Sequence, residues 1–182
     1  QRSHVRRLVG RHPVRFVYSD QYLADIGQHV FPIQKYKLLR DRLVAEGMAS
    51  ASAILKPEPA SDEDILLVHE ASYLRKLREG TLSPMEVHLL EIPYSREIFK
   101  SFLSISGGTI LAARTALSDG ACLNIGGGFH HAFPDHGEGF CMLNDVAIAV
   151  KRLMTDRSIS RALIVDCDLH QGNGTAAIFA GH

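Results

Sequence analysis

The sequence predicts a three-layer α/β domain, in which helices cover both faces of a doubly wound, mostly parallel β-sheet. Three apolar segments have the length and composition of strands, and they lie at Val14–Tyr18, Cys122–Ile125 and Ala162–Val165. Segments with apolar residues at helical spacing separate them. Strands that alternate with helices form parallel sheets, because each helix returns the chain to the end of the sheet where the previous strand began, so the next strand runs in the same direction. A chain of 182 residues suits one domain of this kind.

The N-terminal part predicts a loose arm, a strand and a helix. Residues 1–12 are basic and lack an apolar pattern, so we expect an arm there. After the strand at Val14–Tyr18, Pro32 suits the first turn of a helix that stops at Gly47. The apolar positions of this helix recur at helical spacing and are Ile33, Tyr36, Leu39 and Leu43.

The middle of the chain predicts shorter elements. Ser61, with an acidic residue three positions later, is typical of a helix N-cap and introduces residues 65–68 as a short helix or a buried strand. Ala71–Arg78 predicts an amphipathic helix that Gly80 closes. Residues 81–95 contain two prolines and indicate a surface loop or short helices.

Two longer helices are predicted in the second half. Apolar residues from Phe99 to Leu117 follow helical spacing around the pair Gly107-Gly108. A glycine inside a helix costs about 1 kcal/mol relative to alanine, so this pair indicates close packing against the sheet. Asn144 can cap a helix over Asp145–Met154, whose apolar residues form one stripe.

Composition and charge argue against several classes of protein. Twenty basic residues balance 20 acidic ones, so no overall field favours nucleic acid or an anionic membrane. No uncharged stretch is long enough to cross a bilayer and no signal peptide is visible, so we expect a cytoplasmic protein. Three cysteines without a C-x-x-C pair argue against a disulfide framework.

Side chains of metal-binding type follow the third predicted strand. Asp166, Asp168 and His170 occupy alternate positions, so they point to one side if the extended backbone continues. Ligand sites of open α/β sheets lie at the carboxyl ends of the strands. One carboxylate and one imidazole suit Zn²⁺, and Fe²⁺ accepts the same donors, which makes Asp168 and His170 candidate ligands.

A second group of polar residues follows the strand at Cys122–Ile125. Gly126-Gly127-Gly128 allows a tight backbone path and leads through Phe129 to His130 and His131. Adjacent imidazoles are suited to proton transfer, since their reference pKa is about 6.5. A carboxylate-rich metal site beside a histidine pair indicates metal-assisted hydrolysis.

Three motifs occur in order along the second half of the chain. They are G-G-G-F-H-H-A at 126–132, G-F-C-M-L-N-D-V-A at 139–147 and D-C-D-L-H-Q-G-N-G-T at 166–175. Together they resemble the zinc-dependent histone deacetylase superfamily, and the resemblance extends upstream through Phe31-Pro32 and H-E-A-S-Y-L at 69–74. The pattern F-P-I-Q-K-Y and the residue Asn173 resemble the class IV-like branch and its bacterial relatives.

The resemblance implies a fold of the arginase and deacetylase type and a zinc site. Asp168 and His170 correspond to two of the three zinc ligands, and the third is implied to be an aspartate beyond His182. A structural K⁺ site is implied at Asp166, Asp168 and His170, through aspartate side chains and main-chain carbonyls.

The resemblance also implies roles for the neighbouring side chains. His131 corresponds to the general base and later general acid, and His130 to its electrostatic partner. Asp166 corresponds to the carboxylate that faces His130. Asn173 faces His131 at a position where many relatives carry Asp, and an amide orients the ring without adding negative charge.

The wall of an acyl-lysine tunnel is implied at Gly139, Phe140 and Cys141. There a glycine carbonyl receives the substrate amide and an aromatic ring flanks the aliphatic stem. The expected partner is therefore an acylated lysine of a protein or an acylated small amine such as a polyamine, with no direct contact to nucleic acid or membrane. Acyl length, substrate and oligomeric state are not specified.

Three functions from different classes are compatible with the sequence. The first is a zinc amidohydrolase that removes acyl groups from lysine or small amines. The second is a binuclear manganese ureohydrolase of the arginase or agmatinase type, although Gly172 stands where the D-x-H-x-D pattern has its further Asp. The third is a non-catalytic binder of acyl-lysine.

By resemblance, residues 13–182 are the N-terminal part of one deacetylase-like catalytic domain. The third zinc ligand and the oxyanion-stabilising tyrosine are then missing, and we expect this chain to be inactive alone, aggregation-prone or partly molten. We also expect the strands before His130 and Asp168 not to be neighbours. An open slot should therefore separate His130 and His131 from Asp168 and His170.

Overall fold

A parallel β-sheet lies at the centre of the computed structural model, which describes residues 14–181. Its strands are β1 (Arg15–Val17), β2 (Ile54–Leu55) and β3 (Cys122–Asn124). Their order is β2-β1-β3. The arm predicted for residues 1–12 lies outside the described residues.

Strand β1 pairs in parallel with both of its neighbours. Phe16 lies opposite Ile54 of β2 on one side and opposite Leu123 of β3 on the other. Parallel pairing requires long crossovers, and the segments between these strands contain the helices. The first two predicted strands and the parallel α/β arrangement are therefore confirmed.

Helices form most of the regular structure in residues 14–181. They are α1 (Lys35–Ala45), α2 (Asp62–Ile65), α3 (Ala71–Glu79), α4 (Pro84–Leu90), α5 (Arg96–Asp119), α6 (Asp145–Thr155) and α7 (Asn173–Phe179). Short 3₁₀ turns lie at Asp20–Tyr22 and Ala51–Ala53. None of the described helices is both long and apolar enough to cross a membrane. The pattern did not predict α7.

The predicted helix boundaries follow from local capping. Ser61 forms a capping box with Asp64 and opens the short helix α2, which ends at Ile65. Residues 66–68 follow as turns, so neither a helix nor a strand covers the predicted segment 65–68. Asn144 caps α6 by accepting the N–H of Ala147 at 3.1 Å. Gly80 closes α3 in the left-handed region. Pro32 opens a separate turn before α1, in which the N–H of Lys35 donates to its carbonyl at 2.9 Å.

Helix α5 packs on β1 and β3, and its glycine pair allows two close contacts. A Cβ at Gly107 would overlap the carbonyl oxygen of Glu58, in the segment whose Ala60 N–H donates to the Leu103 carbonyl at 2.9 Å. A Cβ at Gly108 would overlap the hydroxyl of Tyr22. The predicted close packing is confirmed, against this connecting segment as well as against the sheet.

The third predicted strand, Ala162–Val165, is wrong for this structure. Residues 161–167 have no regular secondary structure, and the side chains of Leu163 and Val165 are 87% and 74% exposed. A strand forms only where a neighbouring strand accepts its backbone hydrogen bonds, and β3 pairs with β1 alone among the described strands. Cys167, which lies in the same irregular segment, is also exposed.

The buried imidazole of His69 joins three segments of the chain. Asn144 donates its backbone N–H to Nε2 at 3.1 Å, so Nδ1 carries the proton and donates to the Phe133 carbonyl at 2.9 Å. The residue is 3% exposed, and burial lowers the pKa of the imidazole to about 4. A neutral His69 therefore ties the start of α3 to the loop at Phe133 and to the N-terminus of α6.

We expect Gly107→Ala to lower the free energy of unfolding by at least about 1 kcal/mol. Overpacking against backbone costs about 1–3 kcal/mol or more, which outweighs the roughly 1 kcal/mol gain in helix propensity. Urea denaturation of the full-length protein measures the change. Leu117→Ala, at a position in the same helix that is 54% exposed, is the control and should change stability little. A Gly107→Ala variant as stable as the parent would contradict the packing described.

Stability should also fall as the pH drops from about 6.5 to 4 because of His69. The folded pKa of about 4 lies below the unfolded value, so the unfolded chain binds the proton first. The contribution is complete above pH about 6.5 and is lost toward the folded pKa, with a limit of about 3 kcal/mol.

Urea denaturation across this pH range tests the His69 contribution. His69→Asn keeps a donor near the Phe133 carbonyl and does not titrate, so its stability should depend less steeply on pH. His88→Asn alters an exposed histidine and should keep the parent slope. Equal slopes for His69→Asn and the parent would contradict the assignment.

Candidate metal and proton-transfer site

The loop after β3 carries the two histidines predicted for proton transfer. β3 ends at Asn124, and the chain passes through Gly126–Gly128 before the buried Phe129. The rings of His130 and His131 then lie side by side, with centroids 4.2 Å apart and planes at 64°. Two imidazoles this close can face the same reacting group.

The buried carboxylate of Asp145 holds this loop to the first turn of α6. Its Oδ1 accepts the N–H groups of Gly128 at 3.0 Å and Phe129 at 2.9 Å, and its Oδ2 accepts the hydroxyl of Thr109 at 2.5 Å. Asp145 is 1% exposed, so burial raises the pKa of its carboxyl while the hydrogen bonds oppose that rise. Losing these bonds would leave the buried carboxylate without partners, which is strongly destabilising. This energetic cost favours the observed position of the loop.

Two further residues fasten the loop from the other side. Thr175, in α7, donates its backbone N–H to the His130 carbonyl at 3.0 Å. Asn144 donates from Nδ2 to the Ala132 carbonyl at 3.3 Å and to the Thr175 hydroxyl at 3.0 Å. Helix α7 therefore brings the segment that precedes it, residues 166–172, beside the histidine pair.

Asp166 is the direct partner of His130. Its Oδ2 lies 2.6 Å from Nδ1 of His130, whose side chain is only 12% exposed. The hydrogen bond with His130, followed by that from the backbone N–H of Asp168, lowers the pKa of the Asp166 carboxyl. The carboxylate thus orients the His130 ring and leaves Nε2 directed away from it.

Asn173 is the direct partner of His131. Its Oδ1 lies 2.6 Å from Nδ1 of His131. The amide nitrogen of the same side chain donates to Oε1 of Glu138 at 2.8 Å. The second histidine is therefore held by an amide that is itself held by a carboxylate.

Asp168 and His170 present the two donors predicted for a metal. Oδ1 of Asp168 accepts the backbone N–H of His170 at 2.8 Å and lies 3.0 Å from its Nδ1. These hydrogen bonds lower the pKa of the Asp168 carboxyl. Nε2 of His130 lies 4.0 Å from the same Oδ1, and the rings of His131 and His170 have centroids 5.8 Å apart.

The separation of the donor pair is near that of two ligands in a zinc coordination sphere. Ligand bonds of about 2.0–2.2 Å in tetrahedral geometry place oxygen and nitrogen donors roughly 3.3–3.6 Å apart. Oδ1 of Asp168 and Nδ1 of His170 are 3.0 Å apart, a hydrogen-bonding distance somewhat shorter than that separation. Within residues 14–181 no group of three or more His, Cys, Asp or Glu side chains could hold a metal ion, so the described part supplies an incomplete ligand set.

The expected open slot between the two motifs is wrong, although the two chain segments are not paired as strands. Asp166 contacts His130 directly, and Asp168 lies 4.0 Å from the same ring. The segment does not continue as an extended strand. Asp168 donates its N–H to Oδ1 of Asp166 at 2.9 Å, and such turns fold the three polar side chains toward the loop.

A cleft of about 500 Å³ opens above these residues. The predicted wall residues Gly139, Phe140 and Cys141 line it, in a tight turn where Glu138 and Cys141 exchange backbone hydrogen bonds of 3.1 and 2.9 Å. Gly139 has a φ of 52°, and a Cβ there would lie 2.9 Å from Cδ2 of His131. Only glycine lets this turn approach the histidine ring.

The turn also shapes the aromatic side of the cleft. Phe140 has a φ of 67° and packs edge-on against His29, with ring centroids 4.8 Å apart. Cys141 is buried, its Sγ lies 3.3 Å from the Gly139 carbonyl, and burial raises the pKa of its thiol to about 12. A thiol with so high a pKa is a packing group and a poor nucleophile.

No sequence pattern assigned a specific role to several residues that build the site. Phe31, Lys35 and Glu91 line the cleft, and burial lowers the pKa of Lys35. The first two lie within the F-P-I-Q-K-Y pattern, but no spacing rule placed them at the cleft. Glu138 and Asp145 act through contacts to segments far away in sequence, which no local pattern reveals.

Comparison with known proteins identifies relatives of this chain. The model of the histone deacetylase domain family matches residues 29–182. An uncharacterized protein of Picosynechococcus sp. is 40% identical over 164 residues, which are 90% of this chain and 55% of that protein. Histone deacetylase 2 of Arabidopsis thaliana is 33% identical over 171 residues, covering 88% of this chain and 44% of its own length.

The acetoin utilization protein AcuC of Staphylococcus aureus is 32% identical over 173 residues, covering 88% of this chain and 44% of that protein. The chain therefore spans about half the length of the curated relatives that it matches.

Solved structures show the same fold. An HDAC homolog from Aquifex aeolicus, 24% identical, has a TM-score of 0.77 and covers 92% of this chain and 48% of its own. An HDAC homolog complexed with SAHA gives the same values. The predicted deacetylase-type α/β fold is confirmed by this likeness. Because the family model matches residues 29–182, the chain belongs to the histone deacetylase family.

Proposed function

We propose that the protein containing this chain is a zinc-dependent amidohydrolase that removes acetyl or other acyl groups from lysine side chains or related small amines. One observation carries the proposal. The histidine pair, each ring held by its own partner, lies against a carboxylate and imidazole donor pair at a cleft of about 500 Å³. General bases and metal donors that face one cleft form the arrangement required for metal-assisted hydrolysis.

Asp168 and His170 are the residues that would hold the zinc, together with a ligand outside residues 14–181. Zinc supplies two kinds of chemistry when bound, since it polarises a carbonyl and makes bound water more acidic. Fe²⁺ is the alternative metal for this donor set. A K⁺ site at Asp166, Asp168 and His170 stays a prediction from the family resemblance.

His131 is proposed as the general base that takes the proton of the attacking water and later returns it to the leaving amine. Its Nδ1 faces the Asn173 oxygen, so the proton resides on Nδ1 and the lone pair of Nε2 is free. His130 is proposed as an electrostatic partner, because its Nδ1 lies 2.6 Å from the carboxylate of Asp166 while its Nε2 is directed away from that carboxylate.

The cleft wall is proposed to bind the acylated side chain. Phe140 and Phe31, whose ring centroids lie 6.1 Å apart, would flank an aliphatic stem. The carbonyl of Gly139, beside the His131 ring, would accept the amide N–H of the substrate. The partner is therefore proposed to be an acylated lysine of a protein or an acylated small amine.

The metal assignment predicts that Asp168→Ala and His170→Ala each weaken zinc binding at least about 100-fold. Each variant removes one of a few direct ligands, which costs more than the 10- to 100-fold typical of supporting residues. The measurement is the zinc content of the full-length protein after dialysis, with activity lost on chelation and regained on adding zinc. Asp41→Ala changes a carboxylate of α1 whose side chain is 44% exposed and paired with Lys37, and this variant should retain zinc.

Two outcomes would overturn the metal assignment. Tight, stoichiometric zinc in either ligand variant would exclude that residue as a ligand. Two manganese ions per chain in the parent protein would indicate a ureohydrolase instead.

A separate outcome concerns catalysis. A metal-loaded protein that binds acyl-lysine without turnover would be a binder and not an enzyme.

The proton-transfer assignment predicts that His131→Ala lowers kcat/KM by about 10³-fold or more. General acid–base groups contribute about 10²–10⁴-fold, and His131 would act in both directions. His130→Ala should be severely impaired but retain more activity than His131→Ala. Steady-state kinetics at constant zinc content measures both, with His88→Ala as the exposed control. A His131→Ala variant with a tenth or more of the parent activity would exclude this role.

A further inference from the structure

Glu138 is a carboxylate that contacts Asn173, the partner of the proposed general base His131. It lies in the tight turn before Gly139 and accepts a hydrogen bond from Nδ2 of Asn173 at 2.8 Å. Its other oxygen lies 3.7 Å from Nε2 of His136. The side chain of Glu138 is 34% exposed and borders the cleft. Its polar contacts within residues 14–181 go to Asn173 and His136, and neither residue is a proposed metal ligand.

The two ends of the Asn173 amide have opposite hydrogen-bonding properties. The oxygen only accepts and the nitrogen only donates, and the two are nearly equal in size. A carboxylate at Glu138 only accepts, so the amide nitrogen must face it. The amide oxygen then faces Nδ1 of His131, at the observed 2.6 Å, and that nitrogen must carry the proton.

The reversed amide would have the opposite effect on His131. Its nitrogen would donate to Nδ1, which would place the proton on Nε2 and leave no lone pair toward the cleft. The tautomer of His130 does not depend on a third group in this way. Both oxygens of Asp166 accept hydrogen bonds, so either orientation of the carboxylate gives the same tautomer of His130. An amide at position 173 therefore requires a third group to define its orientation.

We propose that Glu138 is a positioning residue, which sets the orientation of the Asn173 amide and through it the tautomer of His131. This proposal rests on the proposed function only in that it identifies His131 as the base. Its structural part, the tautomer, is independent of any turnover.

The direct test is ¹⁵N NMR of the His131 imidazole in the full-length protein, with the signal assigned by its loss in His131→Gln. The parent should show the tautomer protonated at Nδ1. Glu138→Leu removes the acceptor and should give a mixture that includes the tautomer protonated at Nε2. Glu138→Gln is the matched variant, since it keeps the size of the side chain but its amide can either accept from or donate to Asn173. It no longer defines the orientation of the Asn173 amide and should also give a mixture of tautomers.

The kinetic readout should follow the tautomer. Glu138→Leu should lower kcat about five- to tenfold with KM within about twofold, because only the fraction of His131 with a free Nε2 is competent. Glu138→Gln should also lower kcat, although it keeps the size and shape of the side chain. The thermal melting temperatures of the two variants are compared, so that a fall in kcat caused by unfolding is recognised.

The two positions should also be coupled. Asn173→Asp places a second carboxylate within hydrogen-bonding distance of Glu138, and the two carboxylates repel each other. In Glu138→Gln the side-chain amide can instead donate a hydrogen bond to the carboxylate at position 173. Asn173→Asp should therefore lower kcat/KM at least fivefold more in the parent background than in the Glu138→Gln background. Equal effects in both backgrounds would overturn the proposal.

An Nδ1 tautomer that persists in Glu138→Leu would also overturn it, whatever happens to kcat. If the protein shows no amidohydrolase activity, the NMR comparison still decides whether Glu138 sets the tautomer. Failure of the proposed function and failure of this inference are therefore distinguishable.

Discussion

The buried carboxylate of Asp145 is the interaction on which the site depends. It begins α6 and accepts hydrogen bonds from two consecutive N–H groups of the histidine loop and from the Thr109 hydroxyl of α5. A carboxylate removed from water is tolerated only when its oxygens are satisfied, so the loop, α5 and α6 must keep this arrangement together. The neutral His69 bond to Phe133 and the Asn144 bond to Ala132 extend the same anchoring along the loop.

The two histidines share a loop but not an electrostatic environment. His130 faces the negatively charged carboxylate of Asp166, whose Oδ2 lies 2.6 Å from Nδ1 of the ring. His131 faces the amide oxygen of Asn173, and the carboxylate of Glu138 contacts the nitrogen of the same amide, so it does not touch the ring through this contact. Such a difference between adjacent imidazoles is the condition for one to serve as a base while the other stabilises charge.

Local patterns predicted the helices well and the last strand poorly. Capping residues such as Ser61 and Asn144 satisfy backbone groups within three or four residues, so their effect is visible in the sequence. The strand predicted at Ala162–Val165 depends on partners from elsewhere in the chain. An apolar segment of strand composition remains irregular when no neighbour accepts its hydrogen bonds, and here Leu163 is exposed.

By itself the sequence determined the composition of the site and the order of its parts. The spacing of Asp166, Asp168 and His170, and the tandem His130-His131, predicted a metal and proton-transfer site. Four of these side chains, His130, His131, Asp168 and His170, line one cleft. Tertiary structure alone decided the rest. The contact of Glu138 with Asn173 spans 35 positions. Such pairings arise only when separate elements pack, because no short-range pattern around position 138 or position 173 points to the other residue.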